Sequence, residues 1–156
     1  MLLRGNSGSG KTTTAKSLKE FLSPRVLLLS QDVLRKQMLA EPDHIGNMSI
    51  GLFKNIINWG TVNTDYIIIE GILKRSVYQS FLEALKQEYG PKLLNFYFNI
   101  SFKETVTRNN LKALPFSEQI LTQWWQNEDL LGNEDAVFTD DETLEERLTT
   151  IEGYLN

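Results

Sequence analysis

The run Gly5-Asn6-Ser7-Gly8-Ser9-Gly10-Lys11-Thr12 constrains this chain more than any other feature. It fits the pattern Gly-x-x-x-x-Gly-Lys-[Ser/Thr], a loop built to close on phosphate. Gly5, Gly8 and Gly10 allow backbone angles that a Cβ forbids. The N–H groups of successive residues from Gly5 to Thr12 then form a concave nest for phosphate oxygens. Lys11 supplies a point charge for the β- and γ-phosphates of a nucleotide, and the Thr12 hydroxyl is placed to ligate Mg²⁺. Met1–Arg4 reads as a short strand. Thr13–Leu22 reads as a helix with Ala15, Leu18 and Leu22 on one side, its positive end aimed at the phosphates. The motif begins four residues after Met1, so the first strand is either clipped or continues into residues before Met1.

At 156 residues one domain is expected, and 41% hydrophobic content suffices for a core. The net charge of −4 argues against a nucleic-acid backbone as the main partner. The chain has no cysteine, which excludes disulfides and thiolate chemistry. No apolar run approaches the length of a membrane span, and no signal peptide precedes the motif, so a cytoplasmic protein without membrane contact is expected.

The remaining chain alternates strands and helices. Val26–Leu29 is a continuous apolar run, suited to a strand buried on both faces. Asp32 follows it, either as a cap or as a functional carboxylate, and Val33–Leu39 starts a helix. Glu41–Asn47 is a loop containing the chain's one histidine, His44, which is assigned no role. Ile50–Trp59 has helical spacing and stops at Gly60. Tyr66–Ile69 is the clearest strand, with Glu70-Gly71 at its carboxyl end. Ser76–Tyr89 is an amphipathic helix with Val77, Phe81, Leu82 and Leu85 inward. Leu93–Phe98 is a strand. Ser101–Glu104 reads as a capping box for a helix that carries Arg108 and Lys112 on one face. Ser117 to about Leu130 reads as helical, with Trp124 and Trp125 packing in the core or at a hinge. Ala136–Phe138 is a last strand, and Thr139–Glu142 reads as a second capping box, leading to a terminal helix through Leu144, Leu148, Ile151 and Leu155. Alternation of this kind calls for a three-layer α/β/α fold with a five-stranded parallel sheet.

In such sheets ligands bind beyond the carboxyl ends of the strands. The phosphate loop, Asp32, Glu70 and the pair Arg108/Lys112 all collect there. A phosphate cradle, two carboxylates and two cations are what phosphoryl transfer requires: nucleotide and metal held in the cradle, a carboxylate to take the acceptor's proton, cations to neutralise the moving group.

These segments resemble the small P-loop kinases, which include nucleoside and nucleotide kinases, gluconate kinase, chloramphenicol phosphotransferase and zeta toxins. Three segments carry the resemblance, which spans essentially the whole chain: Gly5–Thr12, Asp32-Val33-Leu34-Arg35, and Ile67–Gly71. The resemblance implies sheet order 2-3-1-4-5, and a helical lid at about residues 102–130 carrying Arg108. It implies ATP and Mg²⁺ as cofactors and a small hydroxylated acceptor (nucleoside, sugar or antibiotic). It gives Asp32 the part of base, Lys11 and Arg108 catalytic parts, Arg35 and Glu70 acceptor contacts, and Thr12 with Glu70 the metal. Glu70 stands where many members have aspartate, and Lys112 where many have a second arginine. Two other readings stay open: an ATP-binding or ATPase module without a small-molecule acceptor, and a nucleic-acid 5′-hydroxyl kinase, which the acidic balance disfavours. The acceptor pocket is expected between Arg35, His44 and Trp59.

Overall fold

The computed structural model describes residues 1–22 and 24–155. The apolar runs pair into one five-stranded parallel sheet, with β1 (Leu2–Gly5), β2 (Val26–Ser30), β3 (Tyr66–Gly71), β4 (Asn95–Phe98) and β5 (Ala136–Phe138) in the order β2-β3-β1-β4-β5. Strand side chains alternate faces, and the core divides accordingly. Leu2, Leu29 and Ile69 point to one face with Phe53, Ile57, Phe81 and Leu85. Leu3, Ile68, Phe96 and Phe138 point to the other with Ala15, Leu18 and Ile151. Burying each such aliphatic or aromatic side chain contributes about 1.5–3 kcal/mol. The first face is covered by α2 (Ser49–Asn63) and α3 (Arg75–Tyr89), the second by α1 (Lys11–Phe21) and α6 (Leu144–Gly153). This is the expected α/β/α sandwich and strand order. β1 lies at its centre, so the loop that follows it opens at the middle of the carboxyl edge.

Several local expectations are corrected. The helix expected to stop at Gly60 runs through it to Asn63. Gly60 is there for space: a Cβ would stand 2.6 Å from Leu27 Cδ2 and 3.0 Å from Ile67 Cδ1. Thr139–Glu142 is a turn closed by the Glu142 carboxylate on the Thr139 N–H, and the true capping box is Thr143 with Glu146. Ser101 does cap α4 (Phe102–Asn110), but Glu104 turns to Arg108 instead of completing a box. The helix α4 ends at Asn110, so Lys112 lies beyond it and shares no helix face with Arg108. On α3 Val77 packs half-buried against the core as expected, and Tyr78, fully buried, joins Phe81, Leu82 and Leu85 there.

α5 (Glu118–Trp124) is shorter than its sequence suggests. The N–H groups that would extend it are taken by other partners: Gln126 donates to Asn6 Oδ1 at 2.8 Å and Asp129 to the Tyr97 hydroxyl at 3.0 Å. Residues 33–38, expected to start an ordinary helix, wind as a π-helix. Such wide turns are rare and cluster at functional sites.

Candidate active site

The loop between β1 and α1 opens onto a cavity through Ser7, Gly8, Lys11 and Thr12. At Gly8 φ is +80°, and a Cβ would sit 2.7 Å from the Thr105 carbonyl oxygen, so only glycine lets the loop lie against α4. Lys11 opens α1 and is buried. Its Nζ donates to the Asn6 carbonyl at 2.7 Å and to Ser9 Oγ at 3.2 Å. Burial lowers its pKa from 10.5 to about 8, against the pull of Glu70 and Asp32. An ammonium held there without solvent is completed by an anion. The Thr12 hydroxyl donates to Glu70 Oε2 at 3.0 Å, which joins the loop to the carboxyl end of β3.

Side chains brace the loop from outside. Asn6 is clamped to the chain leaving α5: Nδ2 donates to the Gln126 carbonyl at 2.7 Å, and Oδ1 accepts from the Gln126 N–H. Two residues earlier, on β1, Arg4 is wholly buried. It donates to the Leu73 carbonyl and to Asp129 Oδ2 at 2.9 Å, with Glu134 at 3.8 Å. Burial pulls its pKa down, and Asp129 chiefly opposes this. Arg108, from α4, donates through Nε to Glu104 at 2.7 Å and through Nη1 to the Ser9 carbonyl at 3.2 Å. Arg147, from α6, reaches the same carbonyl at 3.5 Å and donates to the Thr139 carbonyl at 3.0 Å. It lies over the Phe98 ring at 5.5 Å. Burial lowers its pKa and the neighbouring Arg108 lowers it further. Sequence reasoning missed Arg147 and the Asn6 clamp. The signal for Arg147 was its spacing, one helical turn before the buried Ile151 and so on the inner face.

In front of the loop a cavity of about 660 Å³ is lined by Ser7, Gly8, Lys11 and Thr12, and also by Asp32 and Glu70. Asp32 sits in the first helical turn after β2 and makes no capping hydrogen bond. Its side chain is 52% exposed, with Lys36 Nζ at 3.0 Å and Arg35 at 3.7 Å. The sequence-predicted carboxylates and the phosphate loop therefore meet in one space. Arg35 faces elsewhere, donating to the Glu41 carbonyl at 2.7 Å beside Asp43 at 3.8 Å. Arg35, His44 and Trp59, between which an acceptor pocket is expected, do not line this cavity; across from the loop its lining includes Lys36, Met38, Lys112, Phe116 and Trp124. His44 pairs with Glu41 at 3.1 Å, and Trp59 is exposed on α2. Lys36 lies 4.9 Å from the Trp124 ring centre, and Trp125 packs edge-on to Phe102. A second cavity, about 550 Å³, lies at the amino-terminal ends of the strands, between Met1, Tyr66 and Leu94, and holds no residue of the loop.

A hydroxyl and a carboxylate beside a phosphate nest are hard oxygen donors of the kind Mg²⁺ takes, and Mg²⁺ ordinarily completes its shell with phosphate and water oxygens. Among the described residues no cluster of three or more His, Cys, Asp or Glu side chains could hold a metal by itself. Among the same residues no helix is long and apolar enough to cross a membrane.

No protein-family model matches this chain, and no curated protein matches it in sequence. Solved structures match closely in shape. The gluconokinase of Sinorhizobium meliloti 1021 superposes with a TM-score of 0.67 at 17% identity, over 99% of this chain and 89% of that one. The tunicamycin resistance protein of Deinococcus radiodurans gives 0.69 at 15% identity, over 100% and 94%. The Mycobacterium tuberculosis APS kinase CysC, solved with AMPPNP and APS, gives 0.66 at 15%, over 99% and 96%. With the phosphate loop, the strand order and these superpositions together, the chain has the fold of the small P-loop kinases.

Proposed function

We propose that this protein transfers the γ-phosphoryl group of ATP to a hydroxyl of a small molecule. The observation that carries this reading is the shared cavity: Lys11 and Thr12 of the phosphate loop open into the same 660 Å³ space as Asp32 and Glu70. A plain nucleotide switch has no use for a solvent-open carboxylate there. The kinases among the structural neighbours support the same class of reaction.

In this reading the backbone from Gly5 to Thr12 cradles the phosphates, with Asn6, Ser7, Gly8, Ser9 and Gly10 supplying N–H groups. Lys11 neutralises the β- and γ-phosphates. Mg²⁺, held by Thr12 and through Glu70, would neutralise further phosphate charge. Asp32 takes the proton of the acceptor hydroxyl at a carboxylate oxygen as that hydroxyl oxygen bonds to the γ-phosphorus, while the bond from that phosphorus to the β–γ bridging oxygen breaks and ADP leaves. Arg108 stabilises charge on the transferring group, a type of contact worth about 10²–10³ in rate. Arg35 acts as a positioning residue, because it ties the π-helix that carries Asp32 to the loop at Glu41. The whole chain works as one domain, with a lid inside residues 102–130 that excludes water on closing. A reaction that consumes ATP fits a cytoplasmic setting.

The test is ADP release with ATP and Mg²⁺ across a panel of hydroxylated metabolites, with Lys11→Ala as control. Acceptor-dependent ADP release that is lost in Lys11→Ala is expected. ADP release that no acceptor stimulates, equal in both proteins, would overturn the reading.

A further inference from the structure

The chain carries a net charge of −4, yet the wall of the cavity facing the phosphate loop is cationic. Lys36 and Lys112 line it there, Lys16 and Lys19 of α1 add charge on the loop's own side, and Asp32 and Glu70 are the carboxylates among them. Glu70 is already engaged by the Thr12 hydroxyl. Asp32 alone then faces the lysines of the acceptor side: Lys36 pairs with it at 3.0 Å, and its charge also acts on Lys112. Lys112 has no ion-pair partner within 4.0 Å among the described residues and lies 5.3 Å from the Phe116 ring centre. Burial pulls its pKa down and Asp32 pulls it back up. Cations gathered around one carboxylate, in a cleft with aromatic walls, leave a positive field that focuses on whatever enters.

We propose that the acceptor is an anionic hydroxy compound, its carboxylate, phosphate or sulfate group held between Lys36 and Lys112 and its body lying against Phe116 and Trp124. The inference rests on the kinase reading and adds the acceptor's charge to it. In the bound state the anion shares Lys36 with Asp32 and gives Lys112 the ion-pair partner it lacks among the described residues.

The test is calorimetric titration of the full chain, first saturated with AMPPNP and Mg²⁺ at low ionic strength. Inorganic phosphate and malonate are the probes, and glycerol is the neutral control. Saturable binding of phosphate or malonate is expected, with none for glycerol. Affinity should fall at least tenfold in Lys36→Ala/Lys112→Ala, whose AMPPNP binding and melting are measured alongside. If the double variant does not fold, the exposed single variant Lys112→Gln serves, with a loss of about threefold or more. Tighter malonate binding assigns a carboxylate, and tighter phosphate binding a phosphate or sulfate. No saturable anion binding, or anion binding unchanged in the variants, overturns the inference and leaves the kinase reading standing. Failure of AMPPNP with Mg²⁺ to bind at all sinks the kinase reading itself.

Discussion

The two sides of the cavity are built in opposite ways. The nucleotide side is buried and interlocked: Lys11, Asn6 and Arg147 are each under 10% exposed, and every one is tied to backbone carbonyls. The acceptor side is open. Asp32, Lys36 and Lys112 stand in solvent, and residues 111–119 are exposed throughout, with Leu111 and Leu114 at 84% and 87%. The excursion between β4 and β5 spans both regimes. Its return leg is pinned to β1, β4 and α3 by Arg4, Asn6, Tyr97 and the Arg75 N–H, while its tip rests on Lys36 and a few rings. A phosphate has one shape, so its cradle gains by being rigid in advance. An acceptor must enter, be recognised and leave, so its wall is held by weak, separable contacts. Changes on the nucleotide side should therefore cost stability as well as function, and changes on the acceptor side should cost function alone.

The sharpest test of that contrast is Asp32→Asn. Loss of a catalytic base lowers rate by about 10²–10⁴. The residue makes no capping hydrogen bond; its short ion pair, with Lys36, is solvent-exposed and worth about 0–1 kcal/mol, and the contact with the buried Arg35 is a long 3.7 Å. We expect kcat to fall at least about a hundredfold with the melting temperature and ATP affinity nearly unchanged. Full activity in this variant would leave Glu70 as the base. Arg108→Ala comes next. Its guanidinium already lies at the Ser9 carbonyl, so kcat should drop about a hundredfold and ATP affinity much less; equal losses in steady-state kinetics and equilibrium binding would make Arg108 a ground-state contact only.

Asn6→Ala probes the rigid side. It removes both bonds to Gln126 and leaves that residue's N–H and C=O without these partners. Urea denaturation should show a loss of about 1–3 kcal/mol, and hydrogen exchange should quicken across residues 125–130. Unchanged stability would mean that the return leg is held without the clamp, and the contrast between the two sides would fail. The smallest effect comes from pH. Lys11 has a folded pKa of about 8 against an ordinary 10.5, so the folded state binds fewer protons than the unfolded one between those values. In the absence of nucleotide its burial penalty is complete below pH 8 and is relieved as pH rises toward 10.5. Nucleotide binding needs the charged form. ATP affinity should therefore fall above pH 8, by up to about tenfold per unit, with proton uptake on binding. Calorimetry at pH 8.5 in buffers of different ionisation enthalpy reads that uptake directly, and zero uptake would mean Lys11 is fully charged before nucleotide arrives.

The sequence by itself determined the fold class and the cradle. Each rests on local chemistry: apolar runs such as Tyr66–Ile69 need burial on both faces, and Gly5–Thr12 has few other uses. The strand order was legible only through the resemblance to the small P-loop kinases, and the sheet has it. The sequence also determined that Asp32 and Glu70 stand at the carboxyl edge, because their strands end there. Only tertiary structure decided what surrounds them. Arg147 and Asn6 act across 138 and 120 residues of chain, a separation that local patterns do not report. Gly60 looked like a helix stop, but its lack of a side chain is explained by Leu27 and Ile67 packed against it. Thr139–Glu142 and Thr143–Glu146 carry the same capping signal, and α6 starts at the second. Lys112 and Arg108 share helical spacing in sequence, but α4 ends between them, at Asn110. Asn109 gives its side chain to both backbone groups of Phe116 and so folds the chain back toward the cavity. Periodicity says which face a residue takes on its own element, and long-range hydrogen bonds and packing say where that element stops and what the face meets.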